Sequence, residues 1–380
     1  MKKVVLIPDS FKGTLSSLQI CKIMENKINE HFPDCKVISI PVADGGEGSV
    51  DCFTAALGGE RINVTVKNPY FEDMKSYYGI IDNGSTAIIE MAACAGLPLV
   101  ENRKDPMNTT TYGVGQLILD AAKRGVKKII VGIGGSCTND GGCGAAAAIG
   151  INFFNENGDN FIPTGGTTNE IKCIDVSNKS KLLNGIEIIT MCDVDNPMYG
   201  PTGAAQIFGT QKGANSEEIS ILDKGIKHLS EIIKKDLTQD LSEIPGTGAA
   251  GAMGAGMIAF FNSKLKMGIE VILDIVNFDS IISDADMIFT GEGKLDQQSL
   301  RGKVVIGVAK RAKKQNVPVI VITGGVDDDI NKSYDLGVTS IFSINKLPEA
   351  FEISRFKSVE NITFTLDNIL RLISVKYNIK

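Results

Sequence analysis

The chain has 380 residues, of which 43% are apolar and 22% are charged, the balance of an ordinary globular protein. A chain of this length is too long to fold around one ordinary hydrophobic core, so about two or three domains are predicted. The formal net charge of −6 comes from scattered charges, which disfavours binding to nucleic acid or to anionic lipid and leaves room for a local basic pocket.

The first predicted elements are a strand, a capped helix, a second strand and a short helix. Lys3–Pro8 is a β-branched run. Ser16 and Gln19 have the spacing of a capping box, which marks the start of a helix. Val37–Val42 is predicted as the second strand, and Ser49–Leu57 as a helix that stops at the following glycines.

The middle of the chain alternates less regularly, whereas the C-terminal part alternates strand and helix. The predicted middle elements are strands over 62–66, 77–81, 87–91, 128–133 and 186–192 and helices over 112–124 and 216–236. The predicted C-terminal elements are strands over 285–290, 317–323 and 339–344 and helices over 304–314 and 362–374. Strand–helix–strand alternation is typical of an α/β fold with a parallel sheet. We therefore predict that both chain ends, residues 1–65 and 280–380, share one sheet, with residues 66–279 inserted as a second α/β domain.

Cysteine, histidine and leader patterns narrow the function classes. The eight cysteines have no metal-ligand spacing and are predicted to be reduced core residues of an intracellular protein. The two histidines, His31 and His228, are predicted on the surface, which disfavours histidine-dependent hydrolases and zinc sites and makes a carboxylate the expected general base. There is no leader pattern, and the longest apolar stretch, Gly246–Phe261, is too short to span a bilayer, so a cytoplasmic protein is expected.

Four glycine-rich loops follow predicted strands, and the first is Pro8–Thr14. A junction between a strand and a helix exposes backbone N–H groups, and Lys12 adds a positive charge, which suits a phosphate or a carboxylate. The candidates here are Ser10, Lys12 and Gly13. The spacing is not that of a Walker A motif, and a plain turn with a surface lysine is the alternative.

The second loop, Gly132–Gly142, has five glycines and four hydrogen-bonding side chains in eleven residues. Glycines allow a ligand to approach the backbone closely, and the short side chains can bind it. An Asn-Asp-Gly-Gly turn without a ligand is the alternative. The candidates in this loop are Gly134, Gly135, Ser136, Asn139 and Asp140.

The third loop, Thr290–Asp296, places two carboxylates beside glycines at the C-terminal end of a strand, where open α/β sheets bind ligands. Glu292 and Asp296 are candidate magnesium ligands, and the backbone of Gly291 and Gly293 is a candidate for phosphate binding. A solvated charged turn explains the same pattern equally well.

The fourth loop, Met191–Pro197, puts Asp193 directly after an apolar strand. Such an aspartate suits a magnesium ligand or a base that orients an attacking hydroxyl, although Asp-Asn-Pro also forms turns by itself. Asp44 and Glu47 are also acidic residues that follow a predicted strand, but a simple turn explains them better than it explains Asp193. The run Gly246–Gly256 is predicted to serve close packing rather than phosphate binding.

Together these loops resemble the bacterial glycerate kinase family, in the same order and over nearly the whole chain. Cys137, Thr210 and Gln297 stand where that family has alanine, proline and glycine. The matching segments are Pro8–Gly13, Ala43–Gly48, Gly132–Ser136, Thr138–Gly142, Asp193, Asn196–Pro197, Phe208–Gly209, Gln211–Ala214, Thr290–Gly293 and Gly302–Lys303.

The resemblance implies a kinase that uses ATP and Mg²⁺ to phosphorylate glycerate. It also implies a Rossmann-like domain made from both chain ends, an inserted α/β domain and an active site in the cleft between them. The family forms 2-phosphoglycerate most often and 3-phosphoglycerate in some members, and both products stay open here.

The hypothesis for the mechanism gives each candidate a role. Asp193 would accept the proton of the hydroxyl, Lys12 and the amides of 134–136 would hold phosphoryl or carboxylate oxygens, and Glu292 with Asp296 would hold magnesium. A binding protein for small hydroxy acids and a nicotinamide-dependent dehydrogenase are the alternatives. The dehydrogenase is weakened because the first loop lacks G-x-G-x-x-G.

Overall fold

The computed structural model describes residues 1–42 and 48–378. The strands in these ranges are β1 (Lys3–Pro8), β2 (Lys36–Ser39), β3 (Glu60–Lys67), β4 (Asp73–Ile81), β5 (Thr86–Glu90), β6 (Lys128–Gly132), β7 (Asn152–Phe154), β8 (Asn160–Phe161), β9 (Cys173–Asp175), β10 (Glu187–Met191), β11 (Lys264–Lys266), β12 (Met287–Leu295), β13 (Val319–Val326) and β14 (Ser340–Ser343). The helices are α1 (Ser17–His31), α2 (Ser49–Leu57), α3 (Ala92–Ala95), α4 (Tyr112–Lys123), α5 (Cys143–Ala148), α6 (Ala204–Phe208), α7 (Ser216–Leu237), α8 (Ala249–Phe261), α9 (Gly268–Ile275), α10 (Phe278–Ile282), α11 (Val304–Lys314), α12 (Lys332–Asp335), α13 (Phe351–Ser354) and α14 (Ser358–Asn378).

Contacts divide the chain into two compact units. The first unit combines both chain ends, Met1–Asp44 and Met267–Lys380, and the second is the intervening segment Gly45–Lys266. Each unit has its own sheet, so the predicted α/β fold with a sheet shared by both chain ends is confirmed. The domain bounds drawn from the sequence at 65 and 280, and the cleft between the domains, stay predictions.

The first unit holds a parallel sheet. Within the described ranges its strand order is β14-β13-β12-β1-β2, and all neighbours are parallel. The chain steps from β1 outward to β2 and then continues on the other side through β12, β13 and β14, which is a doubly wound order. The order reverses between β1 and β12, and such a switch point is where open sheets of this kind bind ligands at the carboxyl ends of the strands.

Helices pack on the sheet of the first unit and bury β1. Val4 and Leu6 on one face of β1 and Val5 and Ile7 on the other are all fully buried, as expected for a parallel strand covered on both faces. Helix α1 buries Ile20, Met24 and Ile28 at helical spacing and packs against α14. The Ser16–Gln19 capping box predicted for α1 is present. The carboxyl end of β1 and the loop that follows it are therefore held by a packed core.

The second unit holds a mixed sheet whose described strands have the order β11-β10-β6-β5-β4-β3. β5, β6, β10 and β11 are parallel, and β4 and β3 continue the sheet antiparallel. The register aligns Glu90 with Gly132 and Gly132 with Met191. The carboxyl ends of three neighbouring strands consequently meet at one edge of this sheet.

The structure differs from the predicted elements mainly at strand ends and in short strands. β12 continues to Leu295 and pairs with β13 instead of ending near residue 290, so most of the predicted third loop is a strand. The antiparallel sheet in the order β8-β7-β9 was not predicted, because strands of two or three residues leave no periodic pattern.

The glycine- and alanine-rich run packs closely, as predicted. A Cβ added at Gly254 would lie 2.3 Å from the carbonyl oxygen of Gly246, and one at Gly256 would lie 2.4 Å from that of Gly141. Helix α8 starts with left-handed backbone at Ala250 and Ala252, with φ of 56° and 63°. Within the described part of the chain, no helix combines the length and apolarity that crossing a bilayer requires.

The cysteines and histidines have structural contacts. All eight cysteines are reduced, and Cys173 is exposed, unlike the core position predicted for cysteines in general. The Nε2 atom of His31 lies 2.8 Å from a carboxylate oxygen of Asp367, and that of His228 lies 2.7 Å from the carbonyl oxygen of Ile171.

Candidate active site

A cavity of about 520 Å³ lies at the switch point of the first unit. Its walls come from the β1–α1 loop, the end of β12, the segment before α11 and the segment around α13. Asp9, Lys12, Glu292 and Lys303 line it together with Phe351. The cavity thus combines charged groups of both signs with an aromatic side chain, at a volume typical of small-molecule sites.

Two predicted loops meet at this cavity. The amide of Asp9 donates to the carbonyl oxygen of Gly291 at 2.8 Å. A Cβ added at Gly293 would lie 3.4 Å from Phe11 Cα and from Lys12 N. The first loop therefore lies directly against the end of β12, and the structure brings these two candidate segments together.

Glu292 is the buried acid of the cavity. Its side chain is 8% exposed, and among the described residues its Oε1 has no hydrogen-bond partner. Burial raises the pKa of Glu292 to about 7, and the nearby Asp9 and Asp296 carboxylates add to the shift while Ser299 and Lys303 oppose it. A buried carboxyl with an uncommitted oxygen in a cavity is a candidate functional group.

Asp296 has a local structural task beside that acid. Its Oδ1 accepts hydrogen bonds from the amides of Gln298 and Ser299, at 2.8 and 3.1 Å. These bonds fold the turn that leads to Lys303 and α11. The Oδ1 atom is therefore committed to the backbone, whereas the Glu292 Oε1 atom is not.

The first loop is a compact turn. Phe11 and Leu15 exchange backbone hydrogen bonds of 2.8 and 3.1 Å, and Gly13 takes a φ of +78°. The side chain of Ser16 accepts from Gln19 N at 3.3 Å, so one of the helix amides expected to bind an anion is already used by the cap. Lys12, on the outer part of the turn, is exposed.

The second unit places Asp193 and the glycine-rich loop at one sheet edge. Asp193 follows β10 and is half-buried, and Gly134 follows β6, the neighbouring parallel strand. Glu90 ends the next strand, β5, and is 1% exposed. Glu90 is not among the predicted site residues, because it lies inside an apolar run with no glycine nearby.

Asp140 holds the glycine-rich loop together. Its carboxylate is fully buried and accepts from the amide and the hydroxyl of Thr111, both at 2.8 Å, and from the amides of Gly142 and Gly144, both at 3.1 Å. Burial raises the pKa of Asp140, and these hydrogen bonds oppose the shift. The geometry assigns this side chain to joining the loop to the starts of α4 and α5.

Lys212 lies under the same loop and was not among the predicted site residues. Its side chain is 2% exposed, and Nζ donates to Ser136 Oγ at 2.9 Å and to the Thr138 carbonyl oxygen at 2.7 Å. Burial lowers the pKa of Lys212 to about 8, against the opposing effects of Cys137 and Asp140. Its sequence context, Gln-Lys-Gly-Ala, carries no sign of burial, so only the family resemblance pointed to this segment.

The turn at the start of α8 supports the loop from its other side. Gly141 N donates to the carbonyl oxygen of Gly251 at 3.0 Å. Gly248 N donates to that of Asn196 at 2.9 Å, which links the same turn to the Asp193 segment. Left-handed non-glycine backbone such as that of Ala250 is strained and is often found at functional sites.

The predicted site residues thus fall into two sets, one in each unit. The first set is Ser10, Lys12, Gly13, Gly291, Glu292, Gly293 and Asp296, and the second is Gly134, Gly135, Ser136, Asn139, Asp140 and Asp193. Asp44 and Glu47 lie outside the described residues. The roles given to the members of both sets stay predictions.

The fold defines an α/β protein whose candidate loops lie at the carboxyl ends of parallel strands. The family model of the glycerate kinase family matches residues 4–374. A glycerate kinase of Bacillus cereus is 44% identical over 368 residues, covering 97% of each chain. A glycerate 2-kinase of Escherichia coli is 44% identical over 354 residues, covering 92% of this chain and 93% of that protein.

A solved structure agrees with these relatives. The crystal structure of a protein provisionally named glycerate kinase 2, from Salmonella typhimurium LT2, has a TM-score of 0.88 and 37% identity, with 100% of both chains covered. The chain belongs to the glycerate kinase family. It is therefore an enzyme of the kinase class rather than a binding protein or a dehydrogenase, and this membership implies ATP as the phosphoryl donor.

Proposed function

We propose that this enzyme transfers the γ-phosphoryl group of ATP to the 2-hydroxyl of D-glycerate, giving 2-phosphoglycerate and ADP, with Mg²⁺ as the metal. The observation that carries the proposal is the cavity at the switch point of the first unit, lined by Lys12, Lys303 and Glu292. The name of the Escherichia coli relative, glycerate 2-kinase, supports the choice of the 2-hydroxyl. The partners are small molecules, with no nucleic acid or membrane involved, and the cytoplasm is the proposed location.

The cavity suits the nucleotide. A doubly wound sheet binds ligands at its switch point, and about 520 Å³ lies within the range of small-molecule sites. Lys12 and Lys303 supply positive charge for phosphate oxygens, and the aromatic ring of Phe351 supplies an apolar surface for a base. The nucleotide is therefore assigned to the first unit.

The residues of the cavity also fit a magnesium ion. Mg²⁺ usually takes one or two carboxylates and completes its shell with phosphate oxygens and water. Within 1–42 and 48–378, no group of three or more His, Cys, Asp and Glu residues could hold a metal, so the proposed site depends on the phosphates. Glu292, with its uncommitted buried oxygen, is the first candidate and Asp296 the second. When bound, the ion would neutralise charge that develops on the transferred phosphoryl group.

Asp193 is the proposed base. It follows an apolar strand at the edge where the glycine-rich loop begins, and a carboxylate there can accept the proton of the glycerate hydroxyl as the oxygen attacks. The remaining work is positional, because phosphoryl transfer needs in-line placement and stabilisation of negative charge more than covalent chemistry.

Initial rates of ADP release with and without D-glycerate test this function. The wild-type enzyme should release ADP only when both D-glycerate and Mg²⁺-ATP are present. Replacing Asp193 by asparagine should lower kcat about 100-fold or more, because the base is lost. Asp195→Asn, an exposed aspartate of the same segment, is the matched control and should stay within about twofold of wild type. A near-normal kcat for Asp193→Asn would remove that residue from the role.

A further inference from the structure

We propose that the segment Gly134–Asn139 of the second unit is the site that binds glycerate, with the Asn139 amide contacting the substrate and Lys212 positioning the segment. This inference rests on the proposed function and names the part of the chain that holds its smaller substrate. It is carried by two features of the second unit alone, an uncommitted buried amide and a buried lysine.

Asn139 is buried without a partner. Its side chain is 1% exposed, and neither Oδ1 nor Nδ2 has a hydrogen-bond partner among the described residues. The hydroxyl of Thr138, the preceding residue, is also buried and has no hydrogen-bond partner among the described residues. Burying a polar group without a hydrogen bond is energetically unfavourable, so adjacent groups of this kind in one loop point to a polar molecule that binds there.

The chemistry of these groups matches a hydroxy acid. An asparagine side chain offers N–H donors and a carbonyl acceptor, and the threonine hydroxyl offers both. Glycerate carries a carboxylate, which accepts, and two hydroxyls, which donate and accept. The donors of Asn139 and Thr138 suit the carboxylate, and the acceptor of Asn139 suits a hydroxyl.

Lys212 gives the segment its shape and its charge preference. Its Nζ joins Ser136 Oγ and the Thr138 carbonyl oxygen, which lie on either side of Cys137, and so fixes the backbone directly before Asn139. The neighbouring Asp140 carboxylate is already used by four hydrogen bonds. The buried ammonium beside the loop favours an anionic ligand, and the buried Asp140 carboxylate offsets part of that preference.

The size of the segment favours glycerate over the nucleotide. Ser136, Thr138 and Asn139 have short polar side chains, and a Cβ added at Gly251 would lie 2.1 Å from the Thr138 carbonyl oxygen. The backbone is thus packed tightly on its far side, and the loop offers no aromatic surface for a base. The cavity of the first unit has both the volume and the aromatic side chain that a nucleotide needs.

Steady-state kinetics with separate KM values for the two substrates test the site. Asn139→Ala should raise the KM for D-glycerate about 10-fold or more and leave the KM for ATP within about twofold, since a lost hydrogen bond to a charged group corresponds to roughly 10- to 100-fold. Asn139→Asp, which keeps the size of the side chain, should do the same. Asn157→Ala, at an exposed position, is the control. A larger effect on the KM for ATP, or no effect on either KM, would overturn the assignment.

Lys212→Met tests the positioning role. The KM for D-glycerate should rise about 10-fold or more with the KM for ATP little changed, whereas simple loss of folded enzyme would lower the apparent kcat and leave both KM values unchanged. Thermal melts of each variant identify loss of fold.

Calorimetric titration of D-glycerate into wild type and Asn139→Asp separates failure of this site from failure of the proposed function. Binding by wild type that the variant loses supports the site even if no phosphoryl transfer is found. Equal binding by both proteins overturns it, whatever the activity.

Discussion

Glu292 shows what burial does to one side chain. A solvent-exposed glutamate would ionise near its ordinary pKa of 4.5, whereas burial in the cavity raises the pKa of Glu292 to about 7. The folded protein therefore keeps a proton that the unfolded chain releases between these two values. The same burial that makes Glu292 a candidate magnesium ligand makes it a cost to stability when no cation is bound.

The free energy of unfolding should reflect this proton. In metal-free and nucleotide-free protein, the Glu292 contribution should fall by up to about 3 kcal/mol as the pH rises from about 4.5 to about 7, because the folded state binds more protons than the unfolded state there. Urea denaturation of wild type and Glu292→Gln measures the difference in stability between them. This difference should change across this pH range and stay constant below and above it.

The matched control is Glu352→Gln, which removes one exposed carboxylate. If wild type and Glu292→Gln lose stability in parallel between these pH values, the carboxyl of Glu292 does not titrate as a buried acid.

Single residues differ in how far the sequence could predict them. Asp193 and Glu292 were predicted because each comes after an apolar run of residues, where a charged side chain is conspicuous in the sequence. Lys212 and Glu90 were not singled out, because neither has a local pattern that distinguishes it from a surface or core residue. Their burial depends on chain segments far away in sequence, such as the contacts of Lys212 with Ser136 and Thr138.

At the scale of elements, glycine positions decide how closely two segments can approach. Gly251 has a φ of +71°, and a Cβ there would lie 2.1 Å from the Thr138 carbonyl oxygen and 2.6 Å from Asn139 Cα. Gly158 has a similar φ of +82°, but nothing lies within 4 Å of its Cβ position. The two sites differ in crowding and share the same backbone requirement.

The Gly251→Ala variant should therefore lose more stability than Gly158→Ala. Both variants should lose about 1–2 kcal/mol of stability, because a side chain is placed on left-handed backbone. Only Gly251→Ala should lose about 1–3 kcal/mol more, because its methyl group overpacks the turn. Chemical denaturation of both variants beside wild type gives the difference. Equal losses of stability would mean that the turn at α8 adjusts to the added methyl group at little cost. The turn would then not hold the loop that carries Asn139 in place.

Elements with clear periodicity were predictable, and those set by pairing were not. Helix α7 and strand β6 follow from their apolar spacing. β12 was predicted to stop near residue 290, because Gly-Glu-Gly-Lys is typical of a turn. In the structure the neighbouring strand β13 continues to Val326 and supplies hydrogen-bonding partners, so β12 extends with it. Tertiary pairing overrides local propensity here.

At the scale of the whole molecule, alternation of strand and helix was enough to predict parallel sheets and a sheet shared by both chain ends. The strand order was not predictable, because β1 has no local feature that selects β12 and β2 as neighbours. That order places the switch point between β1 and β12 and hence the cavity. The family resemblance predicts the enzyme class without reference to the strand order.

The most direct test of the proposed reaction is proton-coupled phosphorus NMR of the products formed from D-glycerate and Mg²⁺-ATP. A phosphate on carbon 2 couples to one proton and one on carbon 3 to two protons, so the signal is a doublet or a triplet. We predict a new phosphomonoester doublet that grows as ADP appears. A triplet would contradict the assignment to the 2-hydroxyl, and unchanged ATP, or inorganic phosphate as the only new product, would contradict glycerate phosphorylation itself.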